Sequence, residues 1–224
     1  MPFTFQSRRA AFQCVALGSI VLLSACGSGG RSSNITASGV ERVSDGRVDV
    51  SLESESNLSV SDARVGLVAF ATGINERKGQ VVAVAGIADD PEVGDPVTEG
   101  TVTYNTRYNY IVLDNTSRSG NYISADQGSR RFIGRTTLTA DYSEGTLTGT
   151  SSDLEVDGQI SGQEVTGSVQ VDYNVSGGIV GTKVLSGRMD TALNGQVGST
   201  GVIATFHGTD SNSAIAGGLV GTAN

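Results

Sequence analysis

Val165-Thr166-Gly167-Ser168-Val169-Gln170-Val171-Asp172-Tyr173-Asn174-Val175 decides the fold: Val, Gly, Val, Val, Tyr and Val share one parity, and polar residues fill the other. Successive strand residues point to opposite faces, so this alternation predicts a half-buried β-strand and excludes a helix of 3.6-residue period. The same pattern returns at Leu185, Met189 and Leu193, at Val202, Ala204 and Phe206, and from Ala216 to Gly221. It predicts consecutive antiparallel strands that complete a sheet at the C-terminal end.

Upstream, Val102, Tyr104, Tyr108, Tyr110 and Val112 share a parity, with Thr103, Asn105, Arg107 and Asn109 opposite. A strand at Asn121–Ala125 follows. Phe132–Tyr142 and Thr146–Leu154 then form a hairpin across Ser143-Glu144-Gly145. With Val165–Val175, Val184–Asn194, Val202–His207 and Ala214–Val220, residues 99–224 hold about eight strands. A closed antiparallel barrel of that size fills its interior with side chains or one small ligand, and closure removes aggregation-prone edges. Val65–Thr72 and Gln80–Ile87 are apolar on both parities and joined by a polar, Gly-bounded connector, which predicts a hairpin covered on both faces. The expected fold class is all-β: a small β hairpin or handle over 63–98 and an eight-stranded antiparallel β-barrel over 99–224. Residues 26–62, with Gly27-Ser28-Gly29-Gly30 and the Ser/Glu-rich run Ser51–Ser61, read as a flexible tether holding at most a short strand near Val48–Leu52.

Glycine supplies 31 of 224 residues, about twice its ordinary share, while proline supplies three and tryptophan none. That composition suits short strands joined by glycine turns. Residues 1–25 carry Arg8 and Arg9 and no acid, so beyond them thirteen basic residues face 23 acidic ones. An acidic body excludes nucleic acid as a partner, since phosphate binding needs clustered Lys and Arg. Cys14 and Cys26 both lie near the N-terminus, so the body holds no disulfide framework and no Cys-type zinc site.

Residues 1–25 have the layout of a cleaved signal: Arg8-Arg9, then the short apolar run Val15–Leu23, too short to span a bilayer. The run ends in Leu23-Ser24-Ala25-Cys26-Gly27, which resembles a bacterial lipobox. That resemblance implies cleavage before Cys26, diacylglycerol on its sulfur and acylation of the new N-terminus. Several acyl chains make a firm anchor at about 0.8 kcal/mol per buried CH₂.

The chemistry-bearing residues are few. His207 is the single histidine and sits on the polar parity of a strand, where a surface or barrel-end position is expected. Nucleophilic catalysis needs a base beside its nucleophile, and no Gly-x-Ser-x-Gly elbow is present. Asp153 and Glu155 share a strand parity, as a glycosidase pair could, but an outward charged face explains them more simply. The stripe Tyr104, Tyr108, Tyr110 could stack on or ligate haem; inward-facing core aromatics are the ordinary reading. Arg130 and Arg131, placed in a turn after Asp126-Gln127-Gly128-Ser129, could meet an acidic partner. Asp89-Asp90-Pro91-Glu92 to Pro96 lacks the ordered ligand spacing of a calcium loop and reads as a solvated loop.

Three stretches resemble the barrel domain of transferrin-binding protein B and its relatives, factor H-binding protein among them. Asp141-Tyr142-Ser143-Glu144-Gly145-Thr146-Leu147-Thr148-Gly149 is similar to the family's acid-aromatic-turn-G-T-L-T-G hairpin. Gly100-Thr101-Val102-Thr103-Tyr104 resembles the opening strand. Phe206-His207-Gly208 with Ala214 and Ala216-Gly217-Gly218-Leu219-Val220-Gly221 resembles the terminal hairpin, although Leu219 stands where the family usually has Phe. The resemblance implies a lipid-anchored outer-membrane protein, surface-exposed or periplasm-facing, that binds a host or environmental protein or an iron- or haem-related small ligand. The expectation is therefore a monomeric, non-enzymatic binding module without a cofactor or metal, attached to the membrane at Cys26. The alternative is a structural or assembly lipoprotein of the envelope.

Overall fold

The computed structural model describes residues 41–43, 53–75, 80–88, 90–113, 116–119, 122–125, 129–175 and 185–224. The signal segment, Cys26 and the expected strand at Val48–Leu52 lie outside the described residues. Fourteen strands are described. The first four are β1 (Glu41–Val43), β2 (Glu53–Asp62), β3 (Gly66–Asn75) and β4 (Gln80–Ala88). Next come β5 (Thr101–Leu113), β6 (Thr116–Ser119), β7 (Tyr122–Ala125), β8 (Ser129–Asp141), β9 (Thr146–Thr150) and β10 (Leu154–Ser161). The chain ends with β11 (Glu164–Val175), β12 (Leu185–Val197), β13 (Gly201–Thr209) and β14 (Ala214–Ala223).

Eight strands close a barrel in the order β10-β11-β12-β13-β14-β5-β8-β9, each neighbour antiparallel. Closure comes from β14 pairing with β5, from Ala214↔Leu113 to Ala223↔Tyr104. The expected number of strands is met with a different set. The strand expected at Asn121–Ala125 is not part of the barrel: among the described residues β7 pairs only with β6, because β5 runs in register with β8 along its whole length and leaves no slot between them. The missing strand is β10, and β9 stops at Thr150 where Ser151-Ser152-Asp153 turns the chain. Leu154, Val156 and Gly158 are buried at alternate positions of β10, so its signal is real, weakened by a glycine at the third inward position.

The barrel interior is one cluster built from the inward parity of every strand, including Tyr104, Tyr108, Tyr110, Leu138, Val169, Val171 and Phe206. Tyr110 stacks on Phe132 with ring centroids 4.8 Å apart and planes 5° from parallel.

A second sheet, ordered β1-β4-β3-β2, packs on the outside of the barrel wall made by β13, β14 and β5. Strands β2 to β4 are antiparallel neighbours, and β1 joins β4 in parallel. One face of this sheet, with Val68, Phe70, Ile74, Val81, Ala85 and Ile87, forms a single apolar cluster with the barrel's outward Ile111, Leu113, Ile203, Ala216 and Val220. Each fully buried side chain of that size contributes roughly 1.5–3 kcal/mol by leaving water. The opposite face of β3 is buried as well, at Ala69 and Ala71, as two-sided apolar runs require. Strand β2 occupies residues read from sequence as the end of the tether. Its Ser/Glu composition hides the strand, which is held by pairing with β3 from Asn57↔Ala71 to Asp62↔Gly66.

Strand β14 is buried on both faces, and its glycines make that possible. A Cβ on Gly217 would lie 2.4 Å from Phe206 Cζ inside the barrel. A Cβ on Gly218 would lie 2.5 Å from Val68 Cγ1 of the outer sheet.

Candidate functional site

One end of the barrel is shut. The turn at Gly198–Thr200 and the β10–β11 turn at Gln163 are tied to the segment between β4 and β5. Thr200 N–H and Gly201 N–H donate to Val93 O at 3.0 and 3.1 Å, and Gln163 Nε2 donates to Gly94 O at 2.8 Å. The segment read as a solvated acidic loop is therefore a strap: its own Val93 is buried and its Glu92 N–H donates to Val65 O at 2.8 Å. Inside this end Tyr104 donates to Gly198 O and meets the Tyr142 hydroxyl, both at 2.7 Å.

The other half of the wall is uneven, and the candidate site arises there. The register between β8 and β9 ends at Thr139↔Thr148. Gly149 and Thr150 still lie beside Leu138 to Thr136, and above them Ser129 to Arg135 pair with β5 on one side with no described strand on the other. Thr136 Oγ1 donates to Thr150 O at 3.2 Å where the two strands part. Asp153, in the turn above the short β9–β10 hairpin, points into the barrel mouth. Its carboxylate accepts from the hydroxyls of Tyr108, Tyr110 (3.1 Å) and Ser151 (3.1 Å). Burial, followed by the hydrogen bond to Asp153, pushes the Tyr108 hydroxyl up to about 12. Burial pushes Tyr110 and Tyr104 higher still.

Outside this notch, the outward face of β5 and β8 is basic. Arg107 and Arg135 are register partners and therefore neighbours on the same face. Arg107 Nη2 donates to Ser61 O and Asp62 Oδ2, both at 3.1 Å, which ties the outer sheet to the barrel. Asp62 is held below the usual carboxylate range, first by the Arg64 backbone N–H and then by the nearby guanidinium charges. Arg135 has no ion pair among the described residues. Arg131 Nε donates to Asn109 Oδ1 at 3.1 Å. Between Arg131 and Arg135 lies Ile133, 65% exposed and the one exposed large apolar side chain among the described residues. A polar groove of about 760 Å³ crosses this face, from Asp62 and Arg107 past Arg135 and Thr137 to Thr150 and Ser152.

The charge is segregated around the barrel. After Arg135 the described residues hold nine carboxylates and one basic side chain, Arg188, which pairs with Asp172 at 2.6 Å. Glu155, Asp157 and Asp190 line the exposed outer face of β10 and β12.

The structure relocates several residues singled out above. Asp153 and Glu155 do not share a face, because Asp153 belongs to the turn that precedes β10. Arg130 and Arg131 are in strand β8 instead of a turn. The tyrosine stripe is interior, as core aromatics are, and the hydroxyls of Tyr104, Tyr108 and Tyr110 are engaged in hydrogen bonds with protein groups. His207 is half-buried on the outer side of β13, opposite Ala192 and Ala216 in register. Its Nδ1 is buried without a partner among the described residues, and burial lowers its pKa. Among the described residues no three His, Cys, Asp or Glu side chains form a metal-sized group. The opposed Arg107 and Arg135 escaped sequence reading because they lie on strands separated by the β6–β7 excursion.

No family model and no curated protein matches the chain. Among solved structures it is similar to isotype 1 transferrin binding protein B from serogroup B Neisseria meningitidis, at 15% identity and a TM-score of 0.45. That match covers 84% of this chain and 38% of the other. A transferrin binding protein B mutant from Actinobacillus pleuropneumoniae H49 is 14% identical with a TM-score of 0.43, covering 74% of this chain and 79% of that one. The haemoglobin receptor HpuA from Kingella denitrificans is 14% identical with a TM-score of 0.40, covering 76% and 62%. The chain spans about two fifths of the first transferrin binding protein B chains it matches. These are likenesses of fold.

Proposed function

We propose that this chain is a lipid-anchored outer-membrane lipoprotein whose barrel is a non-enzymatic binding module for a protein partner. The lipobox ending at Cys26 supports the anchor. The observation that carries the binding role is the outer face of β5 and β8: opposed Arg107 and Arg135, with Ile133 exposed between Arg131 and Arg135. Like charges directly opposite on a sheet face are unfavourable, and an exposed isoleucine gains nothing from water. A face that keeps both is suited to a partner that relieves both. The filled interior favours a surface contact over a small ligand carried inside the barrel.

The test is photocrosslinking in intact cells from position 133, with a photoreactive phenylalanine analogue replacing Ile133 and a second probe at Gln159 on the acidic wall. A crosslink to another protein from position 133 and none from 159 is expected. Position 133 crosslinking no protein, or both positions crosslinking alike, would refute the reading and leave the envelope-structural role.

A further inference from the structure

We infer that the free edge of β8 takes up an extended acidic polypeptide segment as an added strand, lying along Ser129–Arg135 beside Arg131 and Arg135. This rests on the binding role proposed above and names the partner's chemistry. Three independent features meet at this edge. The backbone of β8 is paired with β5 and has no described strand on its far side above Thr136, so its outward N–H and C=O groups form a template for another strand. The outward side chains at alternate positions are Arg131, Ile133 and Arg135, all exposed. A strand of alternating carboxylates and small apolar residues would turn its carboxylates to this face, beside Arg131 and Arg135, and its apolar residues to the opposite face, level with Phe132. The groove of about 760 Å³ beside Arg135 leaves room for the side chains of such a strand.

Charge decides among occupants. Two copies of this edge paired about a twofold axis would set Arg131 and Arg135 of one against the arginines of the other, so the edge discriminates against its own copy. A sulfated or phosphorylated polymer would satisfy the guanidinium groups and leave the backbone of β8 unpaired. An acidic peptide satisfies both.

The test uses the full chain in detergent micelles and a fluorescent, terminally blocked peptide of alternating Glu and Val, as long as the Ser129–Arg135 edge. Its anisotropy is compared with that of a Lys–Val counterpart and of a Glu–Val peptide N-methylated on the backbone nitrogens of one edge, alternate residues on the side that faces β8. The Glu–Val peptide is expected to bind, and to weaken about tenfold or more between about 50 and about 200 mM salt. N-methylation, which removes strand donors without touching the protein, should weaken it about tenfold, as should the Arg131→Ser/Arg135→Ser double variant. Equal binding of the N-methylated or Lys–Val peptide would overturn the proposal. So would heparin binding where the peptide does not, or dimerisation of the chain that Arg131→Ser abolishes. A partner crosslinked from position 133 without peptide binding would sink this inference alone; the absence of any crosslink would sink the binding role beneath it.

Discussion

Replacing Gly218 with alanine should pry the outer sheet from the barrel wall. A Cβ at this position would lie 2.5 Å from Val68 Cγ1, 2.7 Å from Val68 Cβ and 3.0 Å from Val60 Cγ1. Carbon atoms rest at about 3.5–4.0 Å, so β3 and β2 must retreat by about 1 Å, a gap that forfeits a quarter to half of each contact's dispersion energy. Overpacking of this kind costs about 1–3 kcal/mol, and the lower chain entropy of alanine returns less than about 1 kcal/mol. A net loss of about 2 kcal/mol corresponds to a fall in melting temperature of roughly 4–8 °C for a folded body of this size. Thermal unfolding followed by circular dichroism measures it, and hydrogen exchange locates it: amides of β2 and β3 should exchange faster while those of β11 and β12 keep their protection. Val68→Ala removes the obstructing γ-carbons, so the double variant should be less destabilised than the sum of the singles by about 1 kcal/mol or more. Strictly additive losses, or an unchanged melting temperature in Gly218→Ala, would refute the claim that this glycine exists to let the two layers touch.

Asp153→Ala strips the acceptor from Tyr108 and Tyr110; at about 1–3 kcal/mol per stranded hydroxyl, softened by the open mouth, the melting temperature should fall by roughly 5–10 °C. Gly149→Val drives a side chain toward Thr137 O, 2.7 Å from the Cβ position, and should destabilise by about 1–3 kcal/mol in urea unfolding. Burial raises the hydroxyl pKa of Tyr104, Tyr108, Tyr110 and Tyr142 above 10. The folded chain therefore keeps protons that the unfolded chain releases, and stability intact below pH 10 is lost as the pH climbs through 10 toward 12. In an alkaline titration their tyrosinate absorbance should emerge together with loss of strand signal; gradual emergence from a still-folded chain would contradict this. Cys26→Ser should give an unprocessed or soluble protein, and continued partitioning into the detergent phase would count against the lipid anchor.

The barrel was legible because strands away from the second sheet bury one face only: Val165 to Val175 alternate cleanly, as does the first part of Val102 to Val112, and period-2 alternation has no helical counterpart. Where alternation is interrupted, assignment slips. Gly158 blanks an inward position of β10, and the short apolar run at Asn121–Ala125 took its place in the count. Strand β2 was illegible for a different reason, since only pairing with β3 makes a strand of Ser/Glu-rich residues. The candidate face was harder still. Arg107 and Arg135 are individually ordinary outward residues, and their opposition is a property of register between strands separated by an inserted hairpin. Asp153 was misplaced for the same reason: its role depends on β9 stopping at Thr150, which turns the carboxylate inward to the tyrosines.

The β5–β8 face joins an exposed isoleucine to an arginine with no ion pair among the described residues, and that conjunction is itself an argument. On the acidic wall Asp172 is bonded twice to Arg188 at 2.6 and 2.7 Å and Asp190 accepts from Gln170 at 3.1 Å, while Glu155 and Asp157 stay exposed to water, which screens their charge. The apolar outer wall of β13, β14 and β5 is covered by the second sheet. On the β5–β8 face the relief is half made: Asp62 answers Arg107, and nothing described answers Arg135. A single acid at Thr137 or Asn105 would complete it, since both border the same groove. If stability alone shaped this face, Thr137→Glu should raise the melting temperature and cost nothing else. If the face exists to bind, the same substitution should stabilise the chain and abolish the crosslink from position 133. A stabilised variant that still crosslinks its partner would separate the unpaired arginine from the binding role and return Arg135 to the solvent.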